Sequence, residues 1–356
     1  MAYISFQPSD YFNWTNYTGN SGTNEQTVGF QPDLTWIKRT DGTYNHYLFD
    51  AVRGVTKEIN SNTNEIDTTL ANSLTAWGAT SFTLGSEGQT NTSSDKFASW
   101  NWKAGTTSGI AGSPSITPTS YSFNATAGFS IIKYDGTGSA ATLPHGLGVA
   151  PNFIMVKRLD AASSWRVYHV DMGATKSMQL DTNDPISTNS GSWNDTEPTS
   201  TLFTVGTANE TNNSSGTYVA YCFTNKQGYF KAGKYIGNGV TGLGTFTYLG
   251  FRPTFLIYKN LSGSHGWRIH RWNSRGPSAD VEGGTTQPRN LCNYFMTCDT
   301  TTAEATSGAG SLDMFSNGFQ LRHSASVGNG AGEEYIYMAW AAEPLVSSND
   351  IPTLGN

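Results

Sequence analysis

The chain runs to 356 residues, room for two or three compact domains rather than one ordinary core. Charged residues make up 13% and hydrophobic ones 37%; Gly, Ser, Thr and Asn fill the difference, a mixture suited to short strands joined by tight turns. A net charge of −6 without any long Lys/Arg run argues against a nucleic-acid reader, no apolar run is long enough to span a membrane, and an aromatic share of 13% argues against disorder.

From the N-terminus, Met1 to Phe6 carries neither a basic region nor an apolar signal core. That predicts synthesis in the cytoplasm without a classical export signal. Five blocks follow, and the same five recur twice more in the same order. The first is an aromatic turn, Tyr17-Thr18-Gly19-Asn20. The second is a strand entered through Pro32, reading Leu34-Thr35-Trp36-Ile37-Lys38. The third is a short aromatic strand, Tyr47-Leu48-Phe49-Asp50. The stretch from Ser61 to Ala76 leaves open one short turn or helix, with Asp67 or Thr68 as its cap. The fourth block, Ser81-Phe82-Thr83-Leu84-Gly85, alternates apolar and polar as a half-buried strand does. The fifth is Lys96-Phe97-Ala98-Ser99-Trp100.

The segment Gly105 to Thr119, rich in Gly, Ser, Thr and Pro, reads as a linker. The second copy opens on Tyr134-Asp135-Gly136. After Pro151 comes the continuous apolar run Phe153-Ile154-Met155-Val156, expected of a strand buried on both faces. Trp165 to His169, Leu202 to Gly206 and Tyr218 to Phe223 complete it. The junction Gly228 to Gly233 is tight, so the second and third copies are expected to touch. The third copy runs through Tyr235-Ile236-Gly237, Pro253 with Phe255 to Lys259, Trp267 to His270, Gly318 to Arg322 and Tyr337 to Trp340. In every copy a lysine (Lys38, Lys157, Lys259) stands sixth after the proline. A strand-end lysine that shields a sheet edge is the plain reading. The predicted fold class is all-β: three tandem antiparallel β-sandwich repeats of the jelly-roll kind, at 1–104, 120–232 and 233–346, with a polar tail at 347–356.

Signatures of chemistry are missing. There is no Gly-x-Ser-x-Gly, no His-Glu-x-x-His and no phosphate loop. Cys222, Cys292 and Cys298 form no disulfide framework and no zinc spacing, and read as buried free thiols. His169 and Asp171 share a strand face, whereas His265 and His270 fall on opposite faces unless a turn intervenes. Asp181, Asp184 and Asp195 sit in an oxygen-rich loop of the second copy, but without the Asp-x-Asp-x-Asp-Gly pattern of a calcium loop. No catalytic residue, metal ligand or cofactor is expected. Glycan binding needs only exposed aromatic platforms, and Trp77, Trp193 and Trp272, in or near loops, are its candidates. Anchoring a loop or a subunit interface is the alternative role for each.

The opening Ala2-Tyr3-Ile4-Ser5-Phe6-Gln7-Pro8-Ser9-Asp10-Tyr11-Phe12-Asn13 resembles a virion protein family of marine bacteriophages, those of cyanobacteria included. So do Phe49-Asp50-Ala51-Val52-Arg53-Gly54, Phe97-Ala98-Ser99-Trp100-Asn101-Trp102-Lys103, Leu143-Pro144-His145-Gly146-Leu147-Gly148 and Tyr335-Ile336-Tyr337-Met338-Ala339-Trp340-Ala341. The resemblance implies tail-fibre-like virion proteins with lectin-type sandwiches of the concanavalin or laminin-G kind, and supplies no catalytic residues. The expected function is therefore non-enzymatic: a tail-fibre or receptor-binding module for attachment to a host-surface glycan. A capsid decoration protein is the alternative, and a polysaccharide depolymerase a distant third. The expected partners are other virion proteins and further copies of the chain, a trimer among the options, with neither nucleic acid nor membrane involved.

Overall fold

A strand that must bury both faces has to lie between two apolar layers, and the runs after the three prolines do so. The computed structural model describes residues 7–272, 281–282, 285–286, 291–306 and 311–342. The start of the family-like opening and the tail at 347–356 lie outside the described residues.

The fold is all-β with antiparallel sheets, as the sequence predicts. The first set of strands is β1 (Phe12–Thr18), β2 (Asn24–Thr27), β3 (Leu34–Arg39), β4 (His46–Asp50), β5 (Lys57–Asn60), β6 (Thr68–Thr69), β7 (Leu74–Trp77), β8 (Ser81–Leu84) and β9 (Lys96–Trp102). The second is β10 (Ser120–Asn124), β11 (Phe129–Asp135), β12 (Ala141–Pro144), β13 (Phe153–Arg158), β14 (Arg166–His169), β15 (Lys176–Ser177), β16 (Ser187–Thr188), β17 (Leu202–Val205) and β18 (Thr217–Phe223). The third begins with β19 (Phe230–Ile236), β20 (Phe246–Tyr248), β21 (Phe255–Asn260) and β22 (Arg268–Arg271). It continues with β23 (Val281–Glu282), β24 (Thr285–Thr286), β25 (Leu291–Cys292), β26 (Tyr294–Thr297), β27 (Ala305–Thr306), β28 (Leu312–Phe315), β29 (Gly318–Leu321) and β30 (Glu334–Trp340).

One strand order occurs three times. It reads β1-β9-β3-β4, then β11-β18-β13-β14, then β19-β30-β21-β22. A smaller sheet faces each large one: β2-β8-β7, β12-β17 and β20-β29-β28-β25. We refer to the three sets as lobes. The stretch 61–76 holds strands β6 and β7 instead of a helix, because Leu74 is fully buried in the small-sheet core. Among the described residues helix is confined to single turns such as α1 (Gly88–Asn91), α2 (Ser190–Trp193) and α3 (Asn209–Asn212).

Each large sheet sends alternate residues two ways. Ile154 and Val156 enter the second lobe's own core, whereas Phe153 and Met155 enter a core shared by all three lobes. Leu256 and Tyr258 against Phe255 and Ile257 divide likewise in the third. At the centre of the shared core Trp102, Phe223 and Trp340, which occupy matching positions at the ends of β9, β18 and β30, touch one another. Their ring centroids are 6.2, 5.6 and 5.4 Å apart. Phe12, Phe129 and Phe230 back them from the paired strands at 5.1, 4.7 and 4.8 Å. The lobes therefore surround an aromatic hub with approximate threefold symmetry, a cluster and not a string. The high aromatic content supplies that hub.

The linker segment at 105–119 is not free of the second lobe. Thr106 bridges to Phe123, Ile116 donates its amide to the Thr142 carbonyl at 3.0 Å, and the Ile116 side chain is buried in that lobe's core. With β10 it clothes the side of the second lobe where β11 and β12 would otherwise be edges.

Candidate functional site

The strand-end lysines do not shield edges. Lys38, Lys157 and Lys259 are fully buried. Each follows Trp36, Met155 or Ile257 by two residues and so projects on the shared-core side, where the neighbouring lobe meets it. Lys38 Nζ donates to the carbonyls of Arg39 (2.8 Å), Gly42 (3.3 Å) and, in the third lobe, Thr301 (3.2 Å). Lys157 Nζ donates to Arg158, Ser163 and, in the first lobe, Asn64. Lys259 Nζ donates to His265 and, in the second lobe, Asn183. The three ammonium groups thus clasp the lobes in a cycle. Burial lowers each to about 8. The indoles follow the same cycle: Trp165 Nε1 donates to Asn60 O and Trp267 Nε1 to Gln179 O, both at 2.8 Å.

A second threefold device escaped the sequence reading. Asn91, Asn212 and Asn329 are fully buried, and each side-chain oxygen accepts an amide from the aromatic-turn segment: Asn20 at 3.0 Å, Thr137 at 2.7 Å and Asn238 at 3.0 Å. The turn glycine lies so close that a Cβ on Gly19, Gly136 or Gly237 would meet a backbone oxygen at 2.0, 2.2 or 2.3 Å. Tyr17, Tyr134 and Tyr235 donate to the carbonyls of Thr90, Thr211 and Gly328 beside those asparagines. The signal was present: each asparagine stands sixth before the first aromatic residue of its lobe's last strand, Phe97, Tyr218 or Tyr335.

Groups with acid–base or nucleophilic potential are sunk into this scaffold. Five of the six histidines are buried: His46, His145, His169, His270 and His323. Desolvation lowers His145, His169 and His323 to about 4 and His270 to about 3. All three thiols are buried and free, and burial pushes Cys222 and Cys292 up to about 12. His169 Nδ1 lies 3.8 Å from Asp171 Oδ2, but the ring is fully buried and accepts the Asp171 amide at 3.1 Å. His265 sits in the loop before β22. Asp181 accepts the Trp165 amide at 3.0 Å, as Asp299 accepts that of Trp267 at 2.9 Å, and burial raises Asp181 to about 6. Asp184 is exposed and accepts the Thr182 hydroxyl; Asp195 lies in the turn after α2 with φ 48°. Among the described residues no three His, Cys, Asp or Glu side chains converge as metal ligands do.

The three candidate tryptophans fall in three different lobes and are not brought together. Trp77 ends β7, half-buried against the first lobe's core. Trp193 lies in α2, 1% exposed and edge-on to Tyr168, with no face left for a sugar. Trp272 follows β22, half-buried under the Arg252 guanidinium at 4.7 Å.

The accessible aromatic platform lies elsewhere. Phe246 and Tyr248 alternate with buried Thr247 on β20, so both rings leave the same face of the third lobe's small sheet, 44% and 61% exposed. Lys231 Nζ lies 5.6 Å over the Tyr248 ring and donates to the Tyr248 carbonyl at 2.8 Å. Phe315 meets Phe246 edge-on at 5.9 Å. Exposed Ile236, Val240 and Leu243 lie on the chain leading to this strand. The two matching strands differ: β2 is polar, and β12 is clothed by 105–119.

A family model, "Domain of unknown function (DUF7483)", matches residues 7–344. No curated protein and no solved structure matches the chain.

Proposed function

This chain belongs to the DUF7483 family, and we propose that it is a bacteriophage virion protein that attaches to a host-surface glycan through the β20 face of its third lobe. The observation that carries this reading is the pair Phe246 and Tyr248, exposed together in a chain whose other large rings mostly fill the cores. Two rings on one strand face, bordered by Lys231 and Gln320, have the chemistry of a sugar-stacking platform with polar neighbours. The resemblance of the sequence motifs to phage virion proteins supports the setting. Binding without catalysis is favoured because five of the six histidines and all three thiols are committed to the interior. A glycan array tests the reading. Wild type is expected to retain one glycan class, and Phe246→Ala with Tyr248→Ala to lose it; no binding by wild type would overturn it.

The exposed aliphatic residues that precede this pair in the chain favour a second reading, a decoration protein seated on a capsid or tail surface. Ile236, Val240 and Leu243, exposed on the chain leading to the two rings, add apolar surface of the kind that proteins bury against each other. Imaging of labelled virions separates the two: label at the tail tip supports attachment, and label over the whole shell supports decoration.

A further inference from the structure

The three boundaries between lobes share the lysine clasp but differ in the titratable groups they bury. Both boundaries of the third lobe hold a buried histidine, and the boundary between the first and second holds none. His46, at the start of β4, receives the Trp36 indole N–H on Nδ1 at 2.9 Å. Its Nε2 makes no full hydrogen bond, and the Thr297 backbone of the third lobe lies beside the ring. Lys38, which reaches Thr301 in that same segment, is the cation facing it; the neighbours Asn60 and Asn62 are uncharged. His169, at the end of β14, accepts the Asp171 amide on Nδ1, and its Nε2 lies 3.3 Å from the Tyr337 carbonyl of the third lobe. Asp171 is the charged group nearest it, and Lys234 and Glu334 face Asp171 from β19 and β30. Between the first and second lobes, Asp50 instead pairs with Arg53 at 2.5 Å and accepts the Tyr221 hydroxyl at 2.6 Å.

In both histidines an N–H donor already occupies Nδ1. An indole or backbone N–H cannot accept, so a proton added there sets donor against donor and breaks the bond. At His46 the new charge also faces Lys38, inside a boundary closed to water. Asp171 offsets part of the charge at His169 but leaves the displaced amide unpaired. The Asp50–Arg53–Tyr221 group contains no imidazole and meets no such conflict.

We infer that acid releases the third lobe from the other two while the first and second stay docked. The indole protons report on three separate places: Trp36 on the His46 ring at the first–third boundary, by a bond within the first lobe, and Trp267 and Trp165 on bonds that cross the second–third and first–second boundaries. Exchange of these three N–H groups is followed by NMR on the full chain from pH 7 to pH 4.5, each rate compared with that of a free indole at the same pH. Protection of Trp36 and Trp267 is expected to fall at least tenfold while that of Trp165 holds. Loss of all three together, or of none, would overturn the inference. The double variant His46→Gln with His169→Gln should keep Trp267 protected at lower pH than wild type. An unchanged response in that variant also counts against it, and the wild-type comparison stands if the variant does not fold.

Discussion

The hub and the outer strands belong to the same three lobes but have been given opposite freedom. At the hub the matching positions hold Trp102, Phe223 and Trp340, all large rings. On the outer strands they hold Asn-Glu-Gln-Thr in β2, Ala-Thr-Leu-Pro in β12 and Phe-Thr-Tyr in β20. One outer strand faces water as polar residues, one is clothed by chain, and one is bare and aromatic. The axis must close on itself, so a change in one lobe is felt by the other two. A rim strand answers to its own lobe alone. Differences between lobes mark where recognition is to be sought, and agreement marks what holds the body together.

The widest test spans both regions. Five imidazoles are held neutral in the folded chain, so unfolding takes up protons between the ordinary value of about 6.5 and the folded values near 4. Their contribution to stability is full above pH 6.5 and falls as pH drops toward 4, on the order of 3 kcal/mol for each fully buried imidazole so shifted. Denaturant melts at pH 7.5 and pH 5 should show it. Next, Trp340→Ala at the hub should cost about 3–5 kcal/mol and lower the unfolding midpoint of all three lobes together. Separate transitions would instead mean that the hub does not couple them. A smaller effect is expected at a clasp: Lys157→Met removes the donor to three partly buried carbonyls, at about 1–3 kcal/mol, read by chemical denaturation. Least of all, Tyr248→Ser on the rim should change stability by under about 0.5 kcal/mol while weakening any glycan or protein contact made there. A large loss of stability from that change would place β20 among the structural elements.

Much of the fold was legible because strand periodicity is local. Phe153 to Val156 read correctly as buried on both faces, and the second face proved to be the hub. What could not be read was which surface supplies that second layer, since nothing in one copy says that two others will cover it. The lysines were misjudged for the same reason. Lys38 looks like an edge residue until Thr301, far along the chain, brings a carbonyl to it. The short helix allowed at 61–76 gave way to β6 and β7, where burial of Leu74 outweighed local capping. The tryptophan candidates rested on their nearness to loops, which does not predict exposure: Trp193 sits in a helical turn and is still buried. The platform on β20 was hidden because Phe-Thr-Tyr reads equally well with its rings turned inward.

Phe12 at the first strand lies 6.4 Å from Trp340 at the last, so the described chain ends where it began. The path visits the centre on leaving each lobe and again on entering the next. Its topology is that of a closed loop with a single cut, and the hub does not distinguish the cut from the two uncut passages. The same body could be opened at the 105–119 segment instead, or assembled from three separate single-lobe chains, without any residue of the hub changing its neighbours.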